Sequence, residues 1–291
     1  MKIGFIGTGV MGTGMILNLI KNNYDVTVYN RTKAHAATVI DAGAKWADSP
    51  RDLAQVVDVV ITIVGFPQDV EETYYGDNGL FKSAKAGQTL IEMTTSKPSL
   101  EAKIAQTADA KGINTLDAPV SGGDVGAKNG TLTIMVGGEQ AVFDQMKPIL
   151  SAMGSNVNLF GGHGKGQHTK MANQIMIAGT MTGLSEMLAY GKAAGLDLSA
   201  LVKTVSQGSG DNWSLDNYGP RILAGDFKPG FAAKHFLKDL RIALQESEKM
   251  AIPLPATEKA KELYEKMVDQ MGLGNDGTQG LVKLYRDMKT D

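Results

Sequence analysis

Residues 2–12 read Lys-Ile-Gly-Phe-Ile-Gly-Thr-Gly-Val-Met-Gly. A short apolar run with β-branched and aromatic residues, Lys2–Ile6, stops at Gly7, and Gly9 and Gly12 complete a G-x-G-x-x-G spacing. Met15, Ile16, Leu19 and Ile20 then recur at helical spacing, Asn22-Asn23 is a stop signal, and Val26–Tyr29 is a second strand. The order is strand, loop, helix, strand in about thirty residues. In a chain with 35 glycines the string alone means little. Its position, leaving a strand and opening a helix, gives it physical content. Gly7 allows the tight turn, Gly9 lets the backbone approach a pyrophosphate, and Gly12 permits close packing of helix on strand. The helix start then offers unpaired N–H groups to phosphate oxygens. Gly7, Thr8, Gly9, Val10, Met11 and Gly12 are therefore expected to cradle a dinucleotide; a glycine-rich turn that holds nothing is the alternative.

Outward from this unit, strands are expected at Val57–Val64, Thr89–Met93, Asn114–Leu116 and Leu132–Val136, with helices between several of them, as at Lys33–Ala42 and Leu100–Lys111. Val57–Val64 is apolar almost throughout, as a strand covered on both faces should be. The pattern predicts an α/β fold: a Rossmann-like, doubly wound, mostly parallel sheet. Near Gly161 the character changes. Lys170–Ala194 carries apolar residues at 171, 175, 178, 181, 184, 187 and 188, one helical stripe. Helices follow at Leu198–Ser206, Trp213–Leu223, Ala232–Met250 and Ala256–Met271. The expected domains are residues 1–162, binding the dinucleotide, and 163–291, all-α, entered by a long interdomain helix at about 165–194.

Composition narrows the function. Of 291 residues 43% are apolar and 21% charged, ordinary globular usage, and the net charge is −2. No basic excess exists to grip nucleic acid. Cysteine is absent, which excludes disulfides, thiol catalysis and cysteine-ligated metals and is compatible with a cytoplasmic location. No apolar run reaches the ~18 residues of a membrane helix, and the N-terminus lacks a signal-peptide cleavage pattern. His163 and His168 are five apart across a glycine-rich loop with no carboxylate motif, so no metal site is expected. The fifteen methionines read as core filler.

The end of the second strand bears on which dinucleotide. A site for NAD usually places an acid there, against the ribose hydroxyls. This chain has Asn30-Arg31-Thr32, then Lys33. A guanidinium suits the 2′-phosphate of NADP, so NADP is the expected cofactor, with NAD still open and a merely solvated Arg31 as the alternative. Val64-Gly65-Phe66, with Val70 beyond it, and Thr95 follow buried strands where such sheets present loops to ligands. Phe66 reads equally as plain core. Ser121-Gly122-Gly123 offers a hydroxyl and bare backbone N–H groups to a small carboxylate, although the same string is a common turn. Finally, Gly161–Gly166 leads into a helix bearing Lys170 and Asn173, three apart on one face and aimed at the expected domain junction.

Taken together, Gly4–Gly12, Asp117–Gly123 with Gly130-Thr131-Leu132, Gly161–Asn173 and Phe236–Leu240 resemble the β-hydroxyacid dehydrogenase family, which includes 3-hydroxyisobutyrate dehydrogenase and tartronate semialdehyde reductase. The resemblance spans nearly the whole chain. It implies a Rossmann domain, a long interdomain helix and a helical C-terminal domain that helps build a homo-oligomer, a dimer or tetramer. It implies that Lys170 is the catalytic lysine and Asn173 its amide partner. Ser121, Gly122 and Gly123 would then hold the substrate carboxylate. Gln174, Phe231 and Asp239 join the substrate side of the cleft, and Lys238 the cofactor side. The chain departs from the family in having Asn173-Gln174 where two Asn are common, Glu92 where Asp is usual, and Gly65-Phe66 in place of a Leu-Pro pattern.

The implied reaction is hydride transfer between NADP(H) and a short β-hydroxy acid or its semialdehyde, with Lys170 delivering or taking the hydroxyl proton. A free lysine titrates near ~10.4, so oxidation would favour high pH unless the cleft lowers that value. Two other readings stand beside it. One is an imine reductase on the same scaffold, against which Lys170 counts. The other is a non-catalytic NADP-binding module, against which Lys170, Asn173 and the complete Ser121–Gly123 loop count.

Overall fold

The computed structural model describes residues 1–285. Two compact units divide at Lys170/Met171. The first is built on nine strands: β1 (Lys2–Ile6), β2 (Asp25–Tyr29), β3 (Lys45–Trp46), β4 (Val59–Thr62), β5 (Thr89–Glu92), β6 (Asn114–Asp117), β7 (Val120–Ser121), β8 (Leu132–Gly138) and β9 (Gly154–Leu159). The order is β3-β2-β1-β4-β5-β6-β8-β7, with β9 also paired to β8. Pairing is parallel from β3 through β6, as the sequence predicts. At β8 it reverses: Asp117 stands opposite Gly137 in an antiparallel pair.

Alternation in the strands sorts their side chains onto two faces. Ile3, Phe5, Val59 and Ile61 join one core with α1 (Val10–Lys21), while Ile6 and Val60 join another with α3 (Pro50–Val56), α4 (Pro67–Tyr75) and α5 (Pro98–Asp109). Between α1 and α3 lies α2 (Ala37–Asp41). The remaining helices of the unit are α6 (Gly123–Asn129) and α7 (Gln140–Ser151), the latter packing Phe143, Met146, Ile149 and Leu150 onto the first core. Both faces are thus dry, which is why the central strands are continuous apolar runs.

Strands β3, β7 and β9 come in addition to the six that the sequence predicts. Two of these are two-residue pairings, too short for any period to show. The third, β9, exposes Asn156 and Asn158 while Val157 and Leu159 pack inward, so its polar face reads as loop. The helix expected at Lys33–Ala42 starts as a 3₁₀ turn over Lys33–Ala36 before α2.

The unit boundary falls inside α8 (Lys165–Ala193), the expected long helix. Its stripe is buried at Met171, Ala178, Met181, Leu184 and Leu188. Helices α9 (Leu198–Val205), α10 (Trp213–Leu223), α11 (Ala233–Lys249) and α12 (Pro255–Glu265), with a 3₁₀ helix at Thr278–Tyr285, make the described part of the second unit predominantly helical. Beyond Glu265 the expected Ala256–Met271 helix widens into a π-helical turn, Lys266–Gln270. Among the described residues no helix is long and apolar enough to cross a membrane.

Candidate active site

At the C-terminal end of β1 two of the three motif glycines have a steric reason and the third stands open. Gly7 has φ +104°, and a Cβ there would overlap the Ile63 carbonyl oxygen. A Cβ on Gly12 would overlap the Gly7 carbonyl oxygen. At Gly9, by contrast, a Cβ would meet no protein atom within 4 Å. The protein itself leaves that backbone open, which is what a closely approaching phosphate requires. Gly9 also gives α1 no side-chain cap, and the first turn of α1 holds no acid, so its N–H groups and positive dipole end remain for an anion. The Thr8 hydroxyl is buried without a hydrogen-bond partner. These features fit a dinucleotide pyrophosphate.

Neighbouring strand ends are laced to this loop. Asn30 accepts the Thr8 N–H at 3.1 Å through Oδ1 and donates to the Thr32 carbonyl at 3.0 Å. Thr94 Oγ1 accepts the Val64 N–H at 2.9 Å, and Glu92 accepts the Thr94 N–H at 2.7 Å. Thr95 is half-buried beside it and Phe66 is exposed. Val70, expected at the cofactor, is wholly buried in the core with Ile6, Leu53 and Tyr74. Arg31 projects from the end of β2 with 83% of its side chain exposed and meets Asp69 Oδ1 at 3.0 Å. Asp69 is anchored from its other oxygen, which accepts the Phe66 N–H at 3.0 Å in the first turn of α4. An acid three places into a helix after Phe66-Pro67 is legible as a cap; its pairing with a residue 38 positions earlier is not.

The Ser121–Gly123 loop closes β7 and opens α6. Gly122 and Gly123 have φ +125° and +62°, a region that disfavours side chains, so the loop needs both glycines. Asn18 of α1 holds α6 from below, donating to the Ala127 carbonyl at 2.7 Å.

The start of α8 is fixed more firmly than its glycine-rich entry suggests. Asp117, at the end of β6, accepts the Gly164 N–H at 2.7 Å and the Gln167 N–H at 2.8 Å, one on each carboxylate oxygen. A capping acid is thus supplied from a strand 47 residues earlier, where it also meets the helix dipole favourably. The Gln167 side chain accepts the Ser96 N–H at 2.9 Å and donates to the Thr94 carbonyl at 2.7 Å. A Cβ on Gly166 would overlap the carbonyls of Met135 and Asp117, so glycine is what lets the helix start sit this close. Lys170 follows Gln167 by one turn and is 5% exposed. Neither Asp117 nor Gln167 was assigned a role from sequence.

In the second unit Asn173, Gln174, Lys238 and Asp239 form one chain of contacts. Asp239, wholly buried, accepts from Gln174 Nε2 at 2.7 Å and meets Lys238 Nζ at 3.1 Å. The Gln174 NH₂ thus faces the Asp239 oxygen that accepts from it. That turns Gln174 Oε1 toward Asn173 Nδ2, at 2.8 Å, and leaves the Asn173 carbonyl oxygen pointing away as an acceptor. Phe231 is half-buried, stacked on His235 and edge-on to Phe236.

Beneath the strand ends, Glu92, Glu101, Asp117, Tyr74 and His163 gather around one narrow crevice. Burial, then the adjacent Glu92 charge, pushes the Glu101 carboxyl well above its ordinary range. Burial likewise raises Asp117, opposed by the two N–H groups it caps.

The sequence was compared with known proteins. The model of the NAD binding domain of 6-phosphogluconate dehydrogenase matches residues 2–162. That of the NAD-binding region of NADP-dependent 3-hydroxyisobutyrate dehydrogenase matches residues 164–285. The chain is 50% identical over 283 residues to the uncharacterized oxidoreductase YkwC of Bacillus subtilis (strain 168), spanning 97% of this chain and 98% of that protein. It is 36% identical over 264 residues to 2-hydroxy-3-oxopropionate reductase of Escherichia coli (strain K12), spanning 91% and 90%. The crystal structure of 3-hydroxyisobutyrate dehydrogenase from Salmonella typhimurium aligns with a TM-score of 0.88 at 27% identity, over 97% of this chain and 99% of that one. With both units matched and the glycine cradle in place, the chain belongs to the β-hydroxyacid dehydrogenase family of NAD(P)-dependent oxidoreductases.

Proposed function

We propose that this protein interconverts a short β-hydroxy acid and its semialdehyde with a preference for NADP(H). The observation that carries the proposal is Lys170: a buried lysine one turn beyond a helix start fixed by Asp117 and Gln167. A solvated surface lysine needs no such support.

The bound dinucleotide supplies hydride in one direction and accepts it in the other. Gly7–Gly12 and the open first turn of α1 hold its pyrophosphate, and Arg31 meets the 2′-phosphate that distinguishes NADP. Ser121, Gly122 and Gly123 hold the substrate carboxylate. In reduction Lys170 Nζ stabilises the negative charge growing on the carbonyl oxygen and gives it a proton. In oxidation the neutral amine takes that proton back. The Asn173 carbonyl oxygen, turned outward by Gln174 and Asp239, accepts from the substrate hydroxyl or from Nζ. No step requires a metal.

The test is NADPH oxidation, followed at the nicotinamide absorbance band, with succinic semialdehyde, glyoxylate, tartronate semialdehyde, methylmalonate semialdehyde and a cyclic imine. Turnover of aldehyde acids but not of the imine is expected. Turnover of the imine alone would make the protein an imine reductase, and no turnover of any would leave a nucleotide-binding module.

A further inference from the structure

The acid missing from the end of β2 is supplied by another element. Asp69, in the first turn of α4, places Oδ1 3.0 Å from Arg31 Nη1, the guanidinium expected to meet a 2′-phosphate. The two partners are unequal. Asp69 is only 23% exposed and tied down by the Phe66 N–H at 3.0 Å, whereas Arg31 is 83% exposed. The carboxylate is therefore the fixed member and the guanidinium the movable one.

We infer that Asp69 is a specificity-determining residue for the dinucleotide: its carboxylate competes with the 2′-phosphate for Arg31 and so narrows the preference for NADP over NAD. This rests on the reading of Arg31 given above. A 2′-phosphate drawn to Arg31 comes near a fixed negative charge of its own sign and must share or displace an existing ion pair. A neutral ribose hydroxyl faces neither cost and can donate to the carboxylate. Exposed ion pairs of this kind are weak and readily exchanged, so the competition moderates NADP binding without preventing it. Asp69 has no place in the chemistry; its effect is on which cofactor binds.

The experiment is calorimetric titration of the full chain with NADP⁺, NAD⁺, 2′,5′-ADP and 5′-ADP, which reads binding without turnover. Asp69→Asn keeps an oxygen for the Phe66 N–H, and Asp69→Ser, a good capping residue, is the second variant. Both should bind NADP⁺ and 2′,5′-ADP about three- to tenfold more tightly, with NAD⁺ and 5′-ADP changed less than about twofold. Unchanged or weaker NADP⁺ binding in both variants overturns the inference. Arg31→Ala separates the two readings. If it collapses the NADP⁺/NAD⁺ affinity ratio while the Asp69 variants leave that ratio alone, only the competition is wrong. If it leaves the ratio intact, the role of Arg31 is wrong and the competition falls with it.

Discussion

Glu101 occupies the first turn of α5, where a helix dipole favours a negative charge, yet burial beside Glu92 wins and the carboxyl is held protonated well above its ordinary value of 4.5. Its Oε1 is buried without a hydrogen-bond partner. The unfolded chain releases this proton near pH 4.5 and the folded chain keeps it, so the folded state binds more protons above that pH. The contribution of Glu101 to stability is thus complete below pH 4.5 and is lost as pH rises toward the folded pKa. Glu101→Gln should flatten the fall of the melting temperature as the pH is raised above 4.5, measured by calorimetry. A variant with the same pH slope as the wild type would remove Glu101 from this account. Among single residues, those defined by spacing were legible in the sequence: the tight turn at Gly7 and the close packing at Gly12 follow from one motif and match the overlaps a Cβ would make there, while Gly9 is left open. The Glu101–Glu92 environment was not legible, because an acid early in a helix reads as an ordinary dipole partner until its surroundings are known. Asp69 escaped for the same reason.

Among the elements, α8 shows both the reach of sequence reading and its limit. Its length and apolar stripe follow from helical period, and α10 was expected over the same residues it occupies. What fixes the start of α8 is tertiary. Asp117 and Gln167 satisfy backbone groups brought close only by the pairing of β5, β6 and β8. The Gly161–Gly166 run announced a close approach without saying to what. Gln167→Ala would leave the Ser96 N–H and Thr94 carbonyl unpaired in a buried setting, at about 2–4 kcal/mol. Chemical denaturation should show that loss, and a change below about 0.5 kcal/mol would mean that water or a shifted loop replaces the glutamine. The short strands β3 and β7 lay below the resolution of any periodicity. In β9 the alternation was present, but on a strand whose outer face is asparagine.

At the scale of the molecule, composition argued against a nucleic-acid partner, the glycine motif set the first unit, and the four motifs in order carried the family, which the two matched domain models and the Escherichia coli relative establish. The choice among small aldehyde acids lies in side-chain shape rather than in any spacing, which is why the sequence did not decide it. The proposed chemistry runs through one amine, that of Lys170. Pre-steady-state mixing of Lys170→Ala with NADPH and whichever aldehyde acid the wild-type enzyme turns over most efficiently measures that directly. Loss of a general acid predicts hydride transfer slowed by about 10²–10⁴-fold, with NADPH affinity within about twofold of wild type. Transfer at a near-native rate would contradict it and move the proton chemistry to another group.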